Sequence, residues 1–161
     1  MSIKIRSLER ESFPATRLIG KKYSFNPNWT EWWNEGWFSV LEQTECSVVN
    51  GDAYIGAVRI VNGMPEYWIG MLFPERTAVP DGFDYVDIEP LECAVCYLYG
   101  KENDSGFYTM DTHNMCLNEL KNRGMKRKED DWCFERYNCP RYTNPDECGN
   151  IILDYIITIE P

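Results

Sequence analysis

The chain reads as an α+β domain in which strands outnumber helices and the order strand–strand–helix–strand–strand occurs twice. Three observations predict this. Short segments alternate apolar and polar residues with period two, the mark of half-buried strands. Two longer segments place apolar residues three and four apart, the mark of one helix face. A polar, proline-bearing stretch over 74–82 divides the two series. Sheet with helices packed on one face is the natural arrangement for such a chain.

Ile3-Lys4-Ile5-Arg6 opens as a strand, and Ala15–Tyr23 forms a second extended segment after Pro14. Asn26-Pro27-Asn28 marks a helix start. Trp29, Trp32, Trp33, Trp37, Val40 and Leu41 then fall on one helix face, with Gly36 inside the helix. Asn50-Gly51-Asp52 is a turn. Strands over Ala53–Val61 and Glu66–Phe73 are joined by Asn62-Gly63, a strong hairpin signal. In the second series Phe83–Ile88 and Leu91–Tyr99 are strands around Glu89-Pro90. A helix over Phe107–Arg123 carries Phe107, Met110, Leu117 and Leu120 on one face and stops at Arg123-Gly124. Trp132–Tyr137 is a strand, 138–150 is a loop, and the apolar Ile151–Ile159 closes the chain as a strand. One domain over 1–161 is expected, with halves at about 1–74 and 83–161. A cleft between two such units is a common place for a ligand.

The net charge of −10 and the lack of a basic stripe argue against direct nucleic-acid binding, because such a field repels phosphate backbones. The same field attracts cations. No segment approaches the length of a membrane span, and the N-terminus has no signal-type hydrophobic region, so a cytoplasmic protein with reduced thiols is expected. Cys93 and Cys96 form a CxxC on a strand, where residues three apart face opposite ways. They are therefore read as structural thiols, and no metal or cofactor is expected. His113, the only histidine, lies on the second helix and reads as a surface or packing residue. Aromatic residues make up 14% of the chain, which means either a ring-rich core or a binding surface of flat faces.

Trp132-Cys133-Phe134-Glu135-Arg136-Tyr137 is the most informative segment. On a strand, Trp132 and Phe134 face one way and Cys133, Glu135 and Tyr137 the other. If the first pair packs under a helix, Glu135 points into the opposite face. There it needs a neighbouring cation, open water, or a guest that supplies positive charge.

Phe134-Glu135-Arg136-Tyr137, followed by a loop and a terminal apolar strand, resembles the GyrI-like domain, the bacterial effector-binding domain family. Further matching pieces are Tyr67-Trp68-Ile69-Gly70, Pro80-Asp81-Gly82-Phe83, Ala94-Val95 with Gly100 beyond, and Leu117 through Gly124. The resemblance spans nearly the whole chain and rests on order and spacing. It implies two related β-α-β units in a pseudo-twofold arrangement, an antiparallel sheet with two main helices, and a ligand cleft between the halves. It also implies binding of planar, often cationic, multidrug-type compounds, with Glu135 meeting the positive charge and aromatics stacking. No helix-turn-helix fits in the remaining residues, so a binder without its own DNA reader is expected. Glu135, Trp68 and Tyr137 are the first ligand-binding candidates, with Tyr97, Tyr54 and Trp33 behind them. For each aromatic the competing reading is core packing. Ile156-Ile157-Thr158 stands where the family carries a Tyr-Ile-Pro-type sequence, and Tyr155 faces away from that position.

The same resemblance leaves two alternatives. One is a metal-free hydrolase of strained, cyclopropane-type toxins, with Glu135 activating water and Tyr137 or Tyr97 donating to the leaving oxygen. The other is a protein-interaction module, such as a gyrase-binding protein, using an acidic face. A binder rather than an enzyme is the expectation.

Overall fold

Lys4–Phe13 (β1) and Asp84–Ile88 (β5) carry charged or polar side chains at most positions, and they form the two outer edges of the sheet. Charge on an edge strand guards its unpaired backbone groups against pairing with other chains. The computed structural model describes residues 3–44, 53–137 and 139–161; the predicted turn at Asn50-Gly51-Asp52 lies outside them. Between the edges run Thr16–Tyr23 (β2), Tyr54–Val61 (β3), Met64–Pro74 (β4), Leu91–Lys101 (β6), Cys133–Tyr137 (β7) and Asn150–Ile159 (β8). The eight described strands form one antiparallel sheet in the order β1-β6-β8-β7-β3-β4-β2-β5.

That order is symmetric about its centre. Outward from the β7–β3 pair lie β8 and β4, then β6 and β2, then β1 and β5. Each strand thus holds the position that mirrors its counterpart from the other half of the chain, and the central β3 and β7 pair directly. The first strand of each half is exchanged, since β1 pairs with β6 and β5 with β2. The α+β class, the antiparallel sheet and the two principal helical segments agree with the sequence reading.

The helices begin and end on local chemistry. Asn28 caps Trp29–Glu35 (α1) by accepting the Glu31 N–H at 3.1 Å. One continuous helix through Gly36 is expected, but the structure breaks it there. Gly36 takes φ +66°, a left-handed conformation open to glycine, and Trp37–Glu42 (α2) restarts beyond it. The break redirects the stripe: Trp32, Phe38 and Leu41 are buried, while Trp33 and Val40 stay exposed. The second predicted helix is also divided. Ser105–Tyr108 is a 3₁₀ turn, and Thr109, accepting from the Thr112 N–H, caps Met110–Asn122 (α3). Met110 is therefore a first-turn residue and is exposed rather than buried. Inside the predicted 138–150 loop, Pro140–Thr143 (α4) forms a short helix with Pro at its start, which suits the fixed proline φ. Asn62 and Gly63 both take positive φ, as the two-residue hairpin turn requires.

Both helical layers pack on one face. Trp32, Phe38 and Leu41 lie on Ile19, Ile69, Met71 and Phe73 of β2 and β4. Cys116 and Leu120 of α3 lie with Leu8, Ala94, Leu98, Leu153 and Ile157 of β1, β6 and β8. The opposite face buries itself by curling. Phe13 of β1 and Phe134 of β7 sit 6.2 Å apart, although β6 and β8 run between them. A flat sheet would hold strands so spaced about 14 Å apart. Trp132 and Phe134 belong to this curled face and do not pack under a helix; the helices lie on the Glu135 side. Cys93 and Cys96 point to opposite faces. Among the described residues, no helix is long and apolar enough to cross a membrane.

At the centre of the β2–β4 pair, Gly20 faces Gly70. A Cβ on Gly70 would stand 2.1 Å from the Ile19 carbonyl oxygen, and one on Gly20 would stand 1.9 Å from that of Ile69. The obstructing atoms are backbone and cannot rotate away. Gly70→Ala is expected to cost about 3 kcal/mol or more, a fall of roughly 10 °C in melting temperature for a chain of this size. A thermal melt followed by circular dichroism checks this, and a variant melting within a degree or two of the parent would refute it.

Candidate ligand groove

The helical layers cover the two wings of the sheet and leave its central strands, β7 and β3, at the floor of a groove. Glu135 lies on β7, cross-strand from Gly56 of β3 on one side and Tyr155 of β8 on the other. A Cβ on Gly56 would come 3.0 Å from Glu135 Oε1 and 3.1 Å from the Trp29 ring. The missing side chain is thus what lets the carboxylate lie across β3 beneath α1. Glu135 borders three adjoining cavities of about 600, 370 and 170 Å3.

The Tyr137 hydroxyl donates to Glu135 Oε1 at 2.8 Å. Among the described residues no arginine, lysine or histidine forms an ion pair with Glu135. Burial pushes its carboxyl above the ordinary range, and the Tyr137 hydrogen bond pulls part of the way back. Burial, and then the adjacent Glu135 charge, raises the Tyr137 phenol, so it remains a donor.

Arg136, the nearest cation in sequence, is committed to the opposite face. Its Nε donates to Asp154 at 2.7 Å and its Nη1 to Glu11 at 3.1 Å. Arg141 Nε donates to the same Asp154 at 2.8 Å. Strand alternation and this network together keep the guanidinium away from Glu135.

The largest cavity joins four sequence candidates, Glu135, Tyr137, Tyr54 and Trp33, with Trp29, Tyr108 and Tyr142. Tyr54 stacks on Phe38 with ring centroids 3.8 Å apart and planes inclined by 7°. The Trp29 and Tyr142 rings stand edge-on to Tyr137 at 5.1 Å each. Trp33 is 58% exposed, and its ring lies 5.7 Å from that of Tyr54.

Two candidates lie outside the largest cavity. Trp68 is 3% exposed and sits in the core of the curled face, with its indole N–H held by Glu66 at 2.9 Å. It borders the smallest cavity as a fixed wall, and its neighbour Tyr67 is the residue of β4 that reaches the groove. Tyr97 shares the strand phase of Cys93 and Val95, so it joins the curled face, where the Arg141 guanidinium lies 5.5 Å from its ring. It borders none of the three cavities that contain Glu135.

Other groove residues were not legible as such. Tyr155 faces opposite to Ile156, as expected, and its pairing with Glu135 makes that face the groove side. Of the two expected roles for His113, surface or packing, the structure takes the second: it is half-buried, and its Nδ1 and the Tyr155 hydroxyl share a 2.5 Å hydrogen bond. Burial, followed by the positive charge of Arg127, lowers the His113 pKa, leaving the ring neutral near pH 7. Trp29 carries an apolar-stripe signal but no hint of which side of the helix meets the cleft. Gly56 carries no local signal.

No protein-family profile matches the sequence, and no curated protein matches it. Solved structures do match. SAV2435, solved with tetraphenylphosphonium bound, superposes with a TM-score of 0.69 at 11% identity, over 96% of this chain and 94% of that one. The C-terminal domain of EcmrR gives 0.62 at 8% identity, over 96% and 97%. A protein from Listeria innocua described as a hydrolase gives 0.53 at 10% identity, over 96% and 91%. At these identities the likeness establishes the architecture alone: the chain shares the fold of SAV2435 and of the EcmrR C-terminal domain, which is consistent with the GyrI-like resemblance of its sequence.

Proposed function

We propose that this chain is a GyrI-like, multidrug-type binding domain for small aromatic cations, with Glu135 as the charge partner and the surrounding rings as stacking surfaces. The observation that carries the reading is Glu135 itself: a deeply set carboxylate without a cationic partner among the described residues, bordering three aromatic-lined cavities. A carboxylate so placed is costly until a positive guest arrives. A cation against an aromatic face gains about 0.5–2 kcal/mol. The net charge of −10 draws such guests toward the surface. That a protein of the same fold is solved with tetraphenylphosphonium supports the ligand class.

The test is calorimetry or tryptophan-fluorescence titration with tetraphenylphosphonium and with triphenylphosphine oxide, a neutral compound of related shape. The cation binds the parent protein at least about tenfold more tightly than the neutral compound, and Glu135→Gln brings the two affinities together. Equal affinities in the parent would remove charge from the recognition.

A hydrolase is the second reading. It is favoured by two proton-bearing pairs in one groove, Tyr137 with Glu135 and Tyr155 with His113. A carboxylate with a raised pKa can take a proton from water. Incubation with a cyclopropane-bearing electrophile, followed by mass spectrometry, decides it: product formed no faster than in buffer discards the enzyme.

A further inference from the structure

Beyond Glu135 the groove continues toward α3 and the segment before β7, and its chemistry changes. Charged residues at this 370 Å3 end, apart from Glu135, are Arg59, Arg127 and Asp131. Two of them are satisfied. Arg59 Nε pairs with Glu66 at 2.9 Å. Asp131 pairs with Lys128 at 3.2 Å and accepts the Trp132 N–H at 2.8 Å.

Arg127 differs. Among the described residues it forms no ion pair with a carboxylate, and Glu135 is not its partner. Its Nη2 reaches only the Cys133 sulfur at 4.0 Å, and its Nε is buried with no hydrogen-bond partner. Buried donors are almost always paired, and a guanidinium presents a fork matched to carboxylate-type oxygens. Tyr155 stands between the two charges. Burial raises its phenol most, Cys133 and Glu135 raise it further, and Arg127 lowers it. Its hydroxyl, joined to the neutral His113, gives that end further hydrogen-bonding capacity.

We propose that the groove is built for an amphoteric aromatic guest: a planar cationic ring system over Glu135 with a carboxylate, or an oxyanion of similar shape, reaching Arg127. This rests on the Glu135 reading and narrows its ligand class. The overall charge of −10 opposes the approach of a free anion, so the acidic group has to arrive tethered to a positive one. Glu135 and Arg127 face one cavity without neutralising each other, and one molecule with two poles satisfies both.

The test uses one aminoxanthylium dye in two forms, the free carboxylic acid and its methyl ester, titrated by fluorescence polarisation. The acid form binds the parent protein about tenfold more tightly than the ester. Arg127→Gln abolishes that preference and leaves ester binding within about twofold of the parent, while Arg127→Lys, which keeps the charge without the fork, retains part of it. Thermal melts of both variants confirm folding. Equal binding of the two forms in the parent overturns the inference and leaves the Glu135 reading standing, as does a preference that survives in Arg127→Gln. If neither form binds, the Glu135 reading fails and the inference with it.

Discussion

Asp154→Ala is expected to lower the stability of the fold by about 3–5 kcal/mol, the usual result of stripping the partner from a buried charge. Asp154 is 1% exposed and receives both Arg136 and Arg141. Removing it takes from the Arg136 guanidinium, itself 5% exposed, its closest carboxylate among the described residues, while the Glu11 contact persists. A neutral Asp154→Asn loses less, because the amide oxygen still accepts. Arg136→Met in the Ala background recovers part of the loss, since an apolar side chain of similar length needs no partner. The effect reads out as a melting temperature lowered by roughly 10 °C and a reduced denaturation midpoint at unchanged slope. Cation affinity of the folded fraction stays near that of the parent, because the network lies across the sheet from the groove. A stable Asp154→Ala protein that has lost cation binding would contradict this separation.

Glu135→Gln is expected to act in the opposite sense on stability and to have the larger effect on ligand. Burial raises the carboxyl in the folded state, so the folded chain holds that proton more tightly than the unfolded chain. Stability therefore declines as pH rises from about 4.3, the ordinary glutamate value, through the raised folded value, and is level above it. The glutamine variant lacks this component. Its advantage over the parent grows with pH across that window and then holds constant. Affinity for tetraphenylphosphonium moves inversely: in the parent it climbs as Glu135 ionises over the same window, while in the variant it is lower by about tenfold to a hundredfold and flat with pH. Denaturant titrations and calorimetry at a series of pH values check both halves. A variant less stable than the parent at neutral pH would show that Glu135 holds the fold together rather than waiting for a guest.

Strands were legible because alternation is local, and so was the phase that sets Glu135 and Tyr137 against Trp132 and Phe134. Both hairpin residues and the helix start at Asn26-Pro27-Asn28 were equally plain. What escaped depends on register between strands distant in sequence. Tyr155 and Gly56 meet Glu135 only because β8 and β3 flank β7 with that pairing. Tyr97 and Trp68 each lie one residue from a neighbour that faces the helices, and aromatic identity alone does not tell the two strand phases apart. Gly36 is visible in the sequence inside the apolar stripe, but nothing local shows that the chain makes a clean stop there and a restart beyond it.

The exchange of β1 and β5 has a mechanical consequence. Each half lends its opening strand to its sibling's border, so neither can swing away without tearing a full ladder of backbone hydrogen bonds. The groove bed is accordingly one continuous sheet, and under the proposed binding reading a swing of one half against the other would break those ladders. Adjustment is left to the banks, where Trp33, Tyr108 and the short α1 ride above a rigid bed. Under the proposed binding reading, breadth of recognition would come from side-chain rotation at the rim, and ligands would be sorted by charge placement along the trough.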